Sequence, residues 1–160
     1  MSTINVDTIS EYTSSNGVYI AGHILQVVQG TFSTQSSSTS GTHADTGLSV
    51  AITPKSTSSK ILILMLHHTK IQRSTTSANG TVKILRDSTE IESANHFFTD
   101  AGGNAASTQN LTASVLDSPS TTSSTTYKVR FKANSGTAFY SQQGNRIASL
   151  ILMELGVWLL

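Results

Sequence analysis

Histidine is the residue type best suited to metal binding in this chain, which contains five histidines and no cysteine. His67 and His68 are adjacent in the segment KILILMLHHT, which has the pattern of a β-strand. Their side chains are therefore predicted to point to opposite faces and cannot bind one ion together. His23, His43 and His96 are isolated in the sequence. The spacing favours ordinary polar or half-buried histidines over a metal site, and it leaves open a site that several subunits share on a symmetry axis.

Two carboxylates have a spacing that could support acid–base chemistry. Glu90 and Glu92 are two residues apart in a predicted strand and share one face, as the paired carboxylates of a glycosidase could. Surface carboxylates are the commoner case, so the spacing favours a solvated face. The sequence contains neither a G-x-S-x-G elbow nor a glycine-rich phosphate loop. We therefore predict no enzyme, no catalytic residue and no cofactor.

Four aromatic residues lie beside polar segments and offer a glycan-binding alternative. Phe97 and Phe98 occur in HFFTD, and Phe139 and Tyr140 occur in AFYSQQGN. Aromatic rings and amide side chains together could stack on and hydrogen-bond to a sugar. Strand alternation predicts that one member of each adjacent pair faces the core instead, which is the commoner fate of large aromatic side chains.

The composition limits the classes of protein to which the chain could belong. Its 160 residues correspond to one ordinary domain or to one domain with a short arm. Charged residues make up 12% of the chain and the net charge is +1, so we expect neither a nucleic-acid partner nor a membrane partner. The N-terminal segment has no secretory pattern, and no apolar run reaches the length of a membrane-spanning helix.

Alternating apolar residues predict an all-β protein. In TYKVRFKA, for example, Tyr127, Val129 and Phe131 share one face, while lysine and arginine occupy the other. The number of strands predicts an antiparallel β-sandwich, a jelly-roll-like domain or a barrel. The predicted strands are 23–32, 47–53, 60–72, 80–86, 89–93, 111–116, 126–133, 137–142 and 146–155.

Turn residues predict how these strands connect. Asn-Gly at 79–80 and Ser-Gly at 135–136 are typical of tight hairpins, and Asp-Ser at 87–88 fits a third turn. The segment 33–46 is rich in serine and threonine and is predicted to be a loop.

Apolar residues at the two ends of the chain are predicted to lie at interfaces. Residues 1–22 have too few apolar positions for a core of their own, so we expect an N-terminal arm that precedes a β-sandwich domain at 23–160. The C-terminal apolar run is expected to be buried in the domain or against another subunit, because exposed patches of that kind promote aggregation. The interface candidates are Ile4, Val6, Ile9, Val18, Ile20, Val157, Trp158 and Leu160.

Four segments of the chain resemble parts of the fibre and appendage proteins of tailed bacteriophages. INVDTISEYTSSNGVYIAGH is similar to their entry segment, in which an I-x-V-D-T-I-S arm leads to N-G-V-x-I-x-G. LSVAITPKSTSSKILI resembles their next unit, and TVKILRDSTEI with TTYKVRFKANSGTAFY resembles their later hairpins. The resemblance covers most of the chain except 33–46 and 94–124. It implies a β-sandwich module of the virion, commonly homotrimeric, with no catalytic residues.

The resemblance also suggests why the run Ile61 to Leu66 is apolar on both faces. In a symmetric oligomer, one face of such a strand can lie in the domain core and the other under a partner. The expected function is a tail-fibre or appendage subunit located in the virion, attached through its arm to other virion proteins. The alternatives are a capsid decoration protein and a carbohydrate-binding module.

Contact with a host surface, if the protein makes one, is expected at loops far from the arm. The candidate segments are 96–110, 117–125 and the tips at 79–80 and 135–136, and a host-surface glycan is the candidate ligand. The candidate contact residues are Asn95, His96, Asp100, Asn104, Gln109 and Asn110.

Overall fold

The computed structural model describes residues 23–73, 77–99, 105–135 and 138–156. These residues form ten strands and one short 3-10 turn, Gln143–Asn145, which confirms the predicted all-β class. None of the described residues belongs to a helix that could cross a membrane. The arm predicted at 1–22 lies outside them. The strands are β1 (Ile24–Phe32), β2 (Ser36–Ser38), β3 (Ala44–Ile52), β4 (Lys60–Arg73), β5 (Ser77–Arg86), β6 (Thr89–Thr99), β7 (Ala105–Asp117), β8 (Thr125–Ser135), β9 (Ala138–Ser141) and β10 (Ala148–Leu155).

The strands form two antiparallel sheets that pack as a sandwich. In the first sheet, β1, β10, β4 and β7 are neighbours in that order. Strand β10 pairs with the first half of β4, β9 pairs with its second half, and β2 pairs with β9. In the second sheet the order is β3, β8, β5 and β6. Each sheet thus combines early and late strands of the chain, and this is the strand order of a jelly roll.

The core lies between the two sheets and follows the predicted alternation. Tyr127, Val129 and Phe131 of β8 point inward and are fully buried. Ile61 and Ile63 of β4 face them from the first sheet as part of the same apolar cluster. Burial of such side chains is the main stabilising contribution in a sandwich of this kind.

Each of the nine predicted strands has a counterpart in the structure, and the tenth was missed. Strand β2 falls within the serine-rich segment that was predicted to be a loop. It consists of three serines and has no apolar pattern, and it forms only because its backbone pairs with β9. Pairing that depends on the backbone alone leaves no signal in side-chain periodicity.

Two of the three predicted hairpin turns are wrong. The Asn-Gly pair lies inside β5, where Gly80 pairs with His96 of β6. A side chain at Gly80 would collide with the ring of Phe139, so this glycine permits close packing between the sheets. Ser135 of the Ser-Gly pair is the last residue of β8, but β8 and β9 belong to different sheets and do not form a hairpin. The Asp-Ser turn is confirmed, because β5 and β6 pair directly on either side of it.

Candidate functional site

The structure separates the residues predicted to contact a host. His96 is buried between the sheets, so its prediction as a surface contact is wrong. It points inward because it occupies an inward position of β6, and its Nδ1 atom lies 3.0 Å from Oγ1 of Thr69. Asn95 is exposed on β6 of the second sheet, whereas Gln109 and Asn110 are exposed on β7 of the first sheet.

Several predicted site residues cannot be placed. Asp100 and Asn104 lie outside the described residues, and so do all eight interface candidates from the two ends of the chain. Those eight are Ile4, Val6, Ile9, Val18, Ile20, Val157, Trp158 and Leu160.

The adjacent histidines of β4 point to opposite faces, as predicted. His68 points outward, and His67 points inward with 0% of its side chain exposed. The Nε2 atom of His67 lies 3.0 Å from Oγ of Ser141. This pair resembles a nucleophile and its base, but both side chains are fully buried, so a substrate cannot reach them. Within the described ranges, no three histidine or acidic side chains are grouped closely enough to hold a metal ion.

The interior around His67 is unusually polar. Thr69, His96, Ser141 and Gln142 are buried in the same half of the sandwich. Burial, together with a smaller contribution from the nearby His68, lowers the pKa of His67 to about 4. Burial also lowers the pKa of His96. Both imidazoles are therefore held neutral at physiological pH, which suits a structural role in the core.

Glu90 and Glu92 have the surroundings of surface carboxylates. Glu90 is half exposed and forms an ion pair with Lys83 at 3.0 Å. Glu92 accepts a hydrogen bond from the backbone N–H of Ser93. Each carboxylate therefore has a local partner of its own, and nothing in this arrangement directs the two toward a common substrate.

The aromatic pairs alternate as predicted. Phe139 is fully buried, and Phe98 packs against the core. Phe97 is 62% exposed on the second sheet, whereas Tyr140 faces outward from the first sheet, beneath the ammonium group of Lys70. The two outward rings therefore lie on opposite sides of the sandwich and cannot stack on one sugar.

The outer surface of the first sheet carries a contiguous group of apolar side chains, which we call the apolar face. One row of paired residues crosses the four main strands and is apolar throughout: Val27, Met153, Leu62 and Leu116. In the next two rows, the central strands contribute Ile151, Leu64 and Leu66, and polar residues lie on the flanking strands. The apolar face consists of Val27, Leu62, Leu64, Leu66, Leu116, Ile151 and Met153.

The outer surface of the second sheet is charged instead. Lys128, Arg130 and Lys132 project from β8, and Arg130 forms an ion pair with Asp45 at 3.0 Å. On the outer surface of the first sheet, by contrast, the described residues include no carboxylate. The described acidic residues lie in the second sheet, in the turn after β5 or, for Asp117 and Glu154, inside the sandwich.

A polar pocket of about 350 Å³ adjoins the apolar face at its far end. His68, Asn110 and Arg146 line it, together with Thr108, Gln109 and Gln143. His68 and Asn110 form the row that follows Leu66 and Thr112, and the Nδ1 atom of His68 lies 2.6 Å from Oδ1 of Asn110. Gln109 and Asn110 were predicted from the sequence as contact residues. The pocket joins them to Arg146, which is distant in the sequence and lacks any local motif that could have identified it.

The described chain ends and the polar pocket lie at opposite ends of the sandwich. The N–H of Gly156 donates to the carbonyl of His23 at 3.0 Å, so both described chain ends lie where β4 begins. The pocket lies toward the other end of β4. The loop that follows β7 lies at the end of the chain termini, where Lys60 donates to Ser118. The segment 117–125 therefore lies at the end opposite to the one expected for a host contact.

Comparison with known proteins adds no assignment. No family model matches the chain, and no curated protein is significantly similar to it.

Proposed function

We propose that this chain is a structural subunit of a phage virion, of the tail-fibre or appendage type, which assembles with copies of itself through the apolar face. The observation that carries this proposal is the contrast between the two outer sheet surfaces. A sandwich needs only its inner faces to be apolar, so the leucines on the outer surface of β4 contribute nothing to its own core.

The size of the apolar face fits the centre of a subunit interface. The three rows that contain the apolar face, at about 4.8 Å between strands and about 3.3 Å per residue, cover roughly 300 Å², and the apolar face occupies seven of their twelve positions. Protein interfaces bury about 800 Å² per partner, with an apolar centre and a polar rim. Gln29 and Thr31 on β1, and Thr112 and Ser114 on β7, flank the apolar face and supply such a rim.

The charge distribution favours another copy of this chain as the partner. The apolar face carries no charged side chain, so two or three copies could meet there without burying an unpaired charge. The charged outer surface of the second sheet would then face solvent in every copy. The resemblance of the sequence to homotrimeric virion modules supports three copies.

The position of the chain ends supports display from a particle. Both described chain ends emerge at one end of the sandwich, so an arm attached there would direct the pocket end outward. A capsid decoration protein is the second candidate, because the same assembly could be attached to the head. The polar pocket is the observation that favours a carbohydrate-binding module as the third.

A matched pair of variants tests the assembly. Leu64→Glu places a carboxylate in the centre of the apolar face, and Ala51→Glu places one on the exposed outer surface of β3. In sedimentation experiments we expect Leu64→Glu to be monomeric, and we expect Ala51→Glu and the unmodified protein to form trimers. Trimers of both variants, or monomers of the unmodified protein, would contradict the proposed interface.

Labelling of particles tests the location. Antibodies against the chain, viewed on intact phage by electron microscopy, are expected to mark the tail or its appendages. Labels on the head would support the decoration protein, and particles without label would contradict a virion role.

A further inference from the structure

We propose that the polar pocket is a binding site for an acidic saccharide, with Arg146 as the residue that binds the sugar carboxylate. The inference deepens the host-contacting role within the proposed function and rests on it. The pocket volume of about 350 Å³ falls in the range of small-molecule sites and is sufficient for one or two sugar rings.

The lining of the pocket determines the class of ligand. It contains hydroxyl and amide groups from Thr108, Gln109, Asn110 and Gln143, which match the hydroxyl groups of a sugar. Arg146 is exposed and forms no ion pair with any residue in the described part of the chain, so its guanidinium group is free to bind a carboxylate in bidentate fashion. Among the described residues, no carboxylate lines the pocket.

The surroundings add positive potential. Lys70 is the next outward residue of β4 after His68, and it pairs with Thr108 in the lining. Because the described outer surface of the first sheet carries no carboxylate, nothing there offsets these cations. A ligand with both hydroxyl groups and a negative charge is therefore favoured over a neutral sugar.

Several contacts fix the pocket in advance of binding. The Nδ1–H of His68 donates to Oδ1 of Asn110 at 2.6 Å, which leaves the amide N–H groups of Asn110 available to a ligand. Gln35 forms two hydrogen bonds with the turn Gln143–Asn145, which adjoins the pocket. Its backbone N–H donates to Oδ1 of Asn145 at 3.0 Å, and its side-chain oxygen accepts from the backbone N–H of Gly144 at 2.8 Å. A preformed site loses less conformational entropy on binding.

The pocket is compatible with the proposed assembly. The fully apolar row lies near the chain ends, and the pocket lies beyond the last apolar row. Subunits in contact through the apolar face would therefore place their pockets around the far end of the oligomer. Weak binding in each copy would be strengthened by avidity.

Affinity gel electrophoresis of the intact protein tests the site. Polygalacturonate in the gel is the acidic probe, and neutral galactan is its control. We expect polygalacturonate to retard the protein and galactan to leave its mobility unchanged. Arg146→Gln should weaken the retardation at least fivefold, whereas Lys128→Gln, which removes the same charge from the second sheet, should not.

Three outcomes would overturn the inference: retardation by both polymers alike, equal loss of binding in both variants, or full binding by Arg146→Gln. Sedimentation of the same samples separates this test from that of the proposed assembly. A trimer that does not bind polygalacturonate would refute only the proposed saccharide site. A monomer that binds polygalacturonate would refute only the proposed subunit interface.

Discussion

The Nε2 atom of His67 lies 3.0 Å from Oγ of Ser141 between the two sheets, although 74 residues separate them in the chain. The contact joins β4 to the last residue of β9 within the first sheet. The hydroxyl of Ser141 also donates to the side-chain oxygen of Gln142. A buried polar group of this kind stabilises the fold only while its partners remain and while the imidazole stays neutral.

We predict that acid destabilises the protein through His67. Its pKa is about 4 in the folded state and about 6.5 in an unfolded chain, so the folded state binds fewer protons between these values. The contribution of His67 to the free energy of unfolding is therefore fully present above about pH 6.5, and it is lost progressively as the pH is lowered toward 4. At pH 4.5 the loss from this group is on the order of 2–3 kcal/mol.

Chemical denaturation at pH 7.5 and pH 4.5 measures this effect. His67→Leu should lose about 2 kcal/mol less stability between the two pH values than the unmodified protein. His68→Gln, on the outer side of the same strand, should keep the full loss. An unchanged pH dependence in His67→Leu would show that other groups control acid unfolding.

Gly80 should not tolerate a side chain. A Cβ atom there would lie 2.5 Å from the ring of Phe139, and no real contact of this type is so short. Gly80→Ala is expected to lower the free energy of unfolding by roughly 1–3 kcal/mol in urea denaturation, because the ring must move within a packed core. Gly41→Ala is the control, since its Cβ atom would meet only a carbonyl oxygen at 3.9 Å. Equal effects of the two changes would contradict the packing explanation.

Asp117 should couple Arg86 and Tyr127. Its carboxylate accepts two hydrogen bonds from Nη1 of Arg86, at 2.7 and 2.8 Å, and one from the hydroxyl of Tyr127 at 2.6 Å. Burial raises the pKa of Tyr127, and the hydrogen bond to Asp117 raises it further, so the hydroxyl stays protonated as a donor.

We expect Tyr127→Phe to cost about 1 kcal/mol and Asp117→Asn to cost about 2 kcal/mol in free energy of unfolding. The double variant should cost less than the sum of the two, because Tyr127→Phe removes the hydrogen bond that Asp117→Asn weakens. Strict additivity in denaturation experiments would show that the tyrosine does not act through this carboxylate.

The sequence was sufficient to predict nine of the ten described strands and the inward faces of those that alternate. Period-two alternation in β8 identified Tyr127, Val129 and Phe131 as core residues, because burial follows directly from side-chain direction in a strand. The sequence was not sufficient to predict which strands are joined by hairpin turns. Gly80 follows an asparagine, as in a hairpin turn, but its role is set by Phe139, which lies 59 positions away and packs from the other sheet.

The candidate sites were predicted only in part for the same reason. The run Ile61 to Leu66 is apolar on both faces, and this local pattern correctly marked β4 as a strand with an apolar outer surface. The pocket depends on β4, β7 and the turn before β10, so neither His68 nor Arg146 carries a local signal. His96 was assigned to a loop surface because the length of β6 was underestimated, and the longer strand places it inside the sandwich.

Thiol reactivity in the assembled protein tests the proposed interface most directly. The chain has no cysteine, so a single introduced cysteine reports on one position alone. Leu116 on the apolar face and Phe97 on the second sheet are similarly exposed in the isolated chain, at 55% and 62%. We predict that Leu116→Cys reacts with a water-soluble thiol reagent at least tenfold more slowly than Phe97→Cys, because other copies cover it. Equal reaction rates would contradict burial of the apolar face by a second copy of this chain.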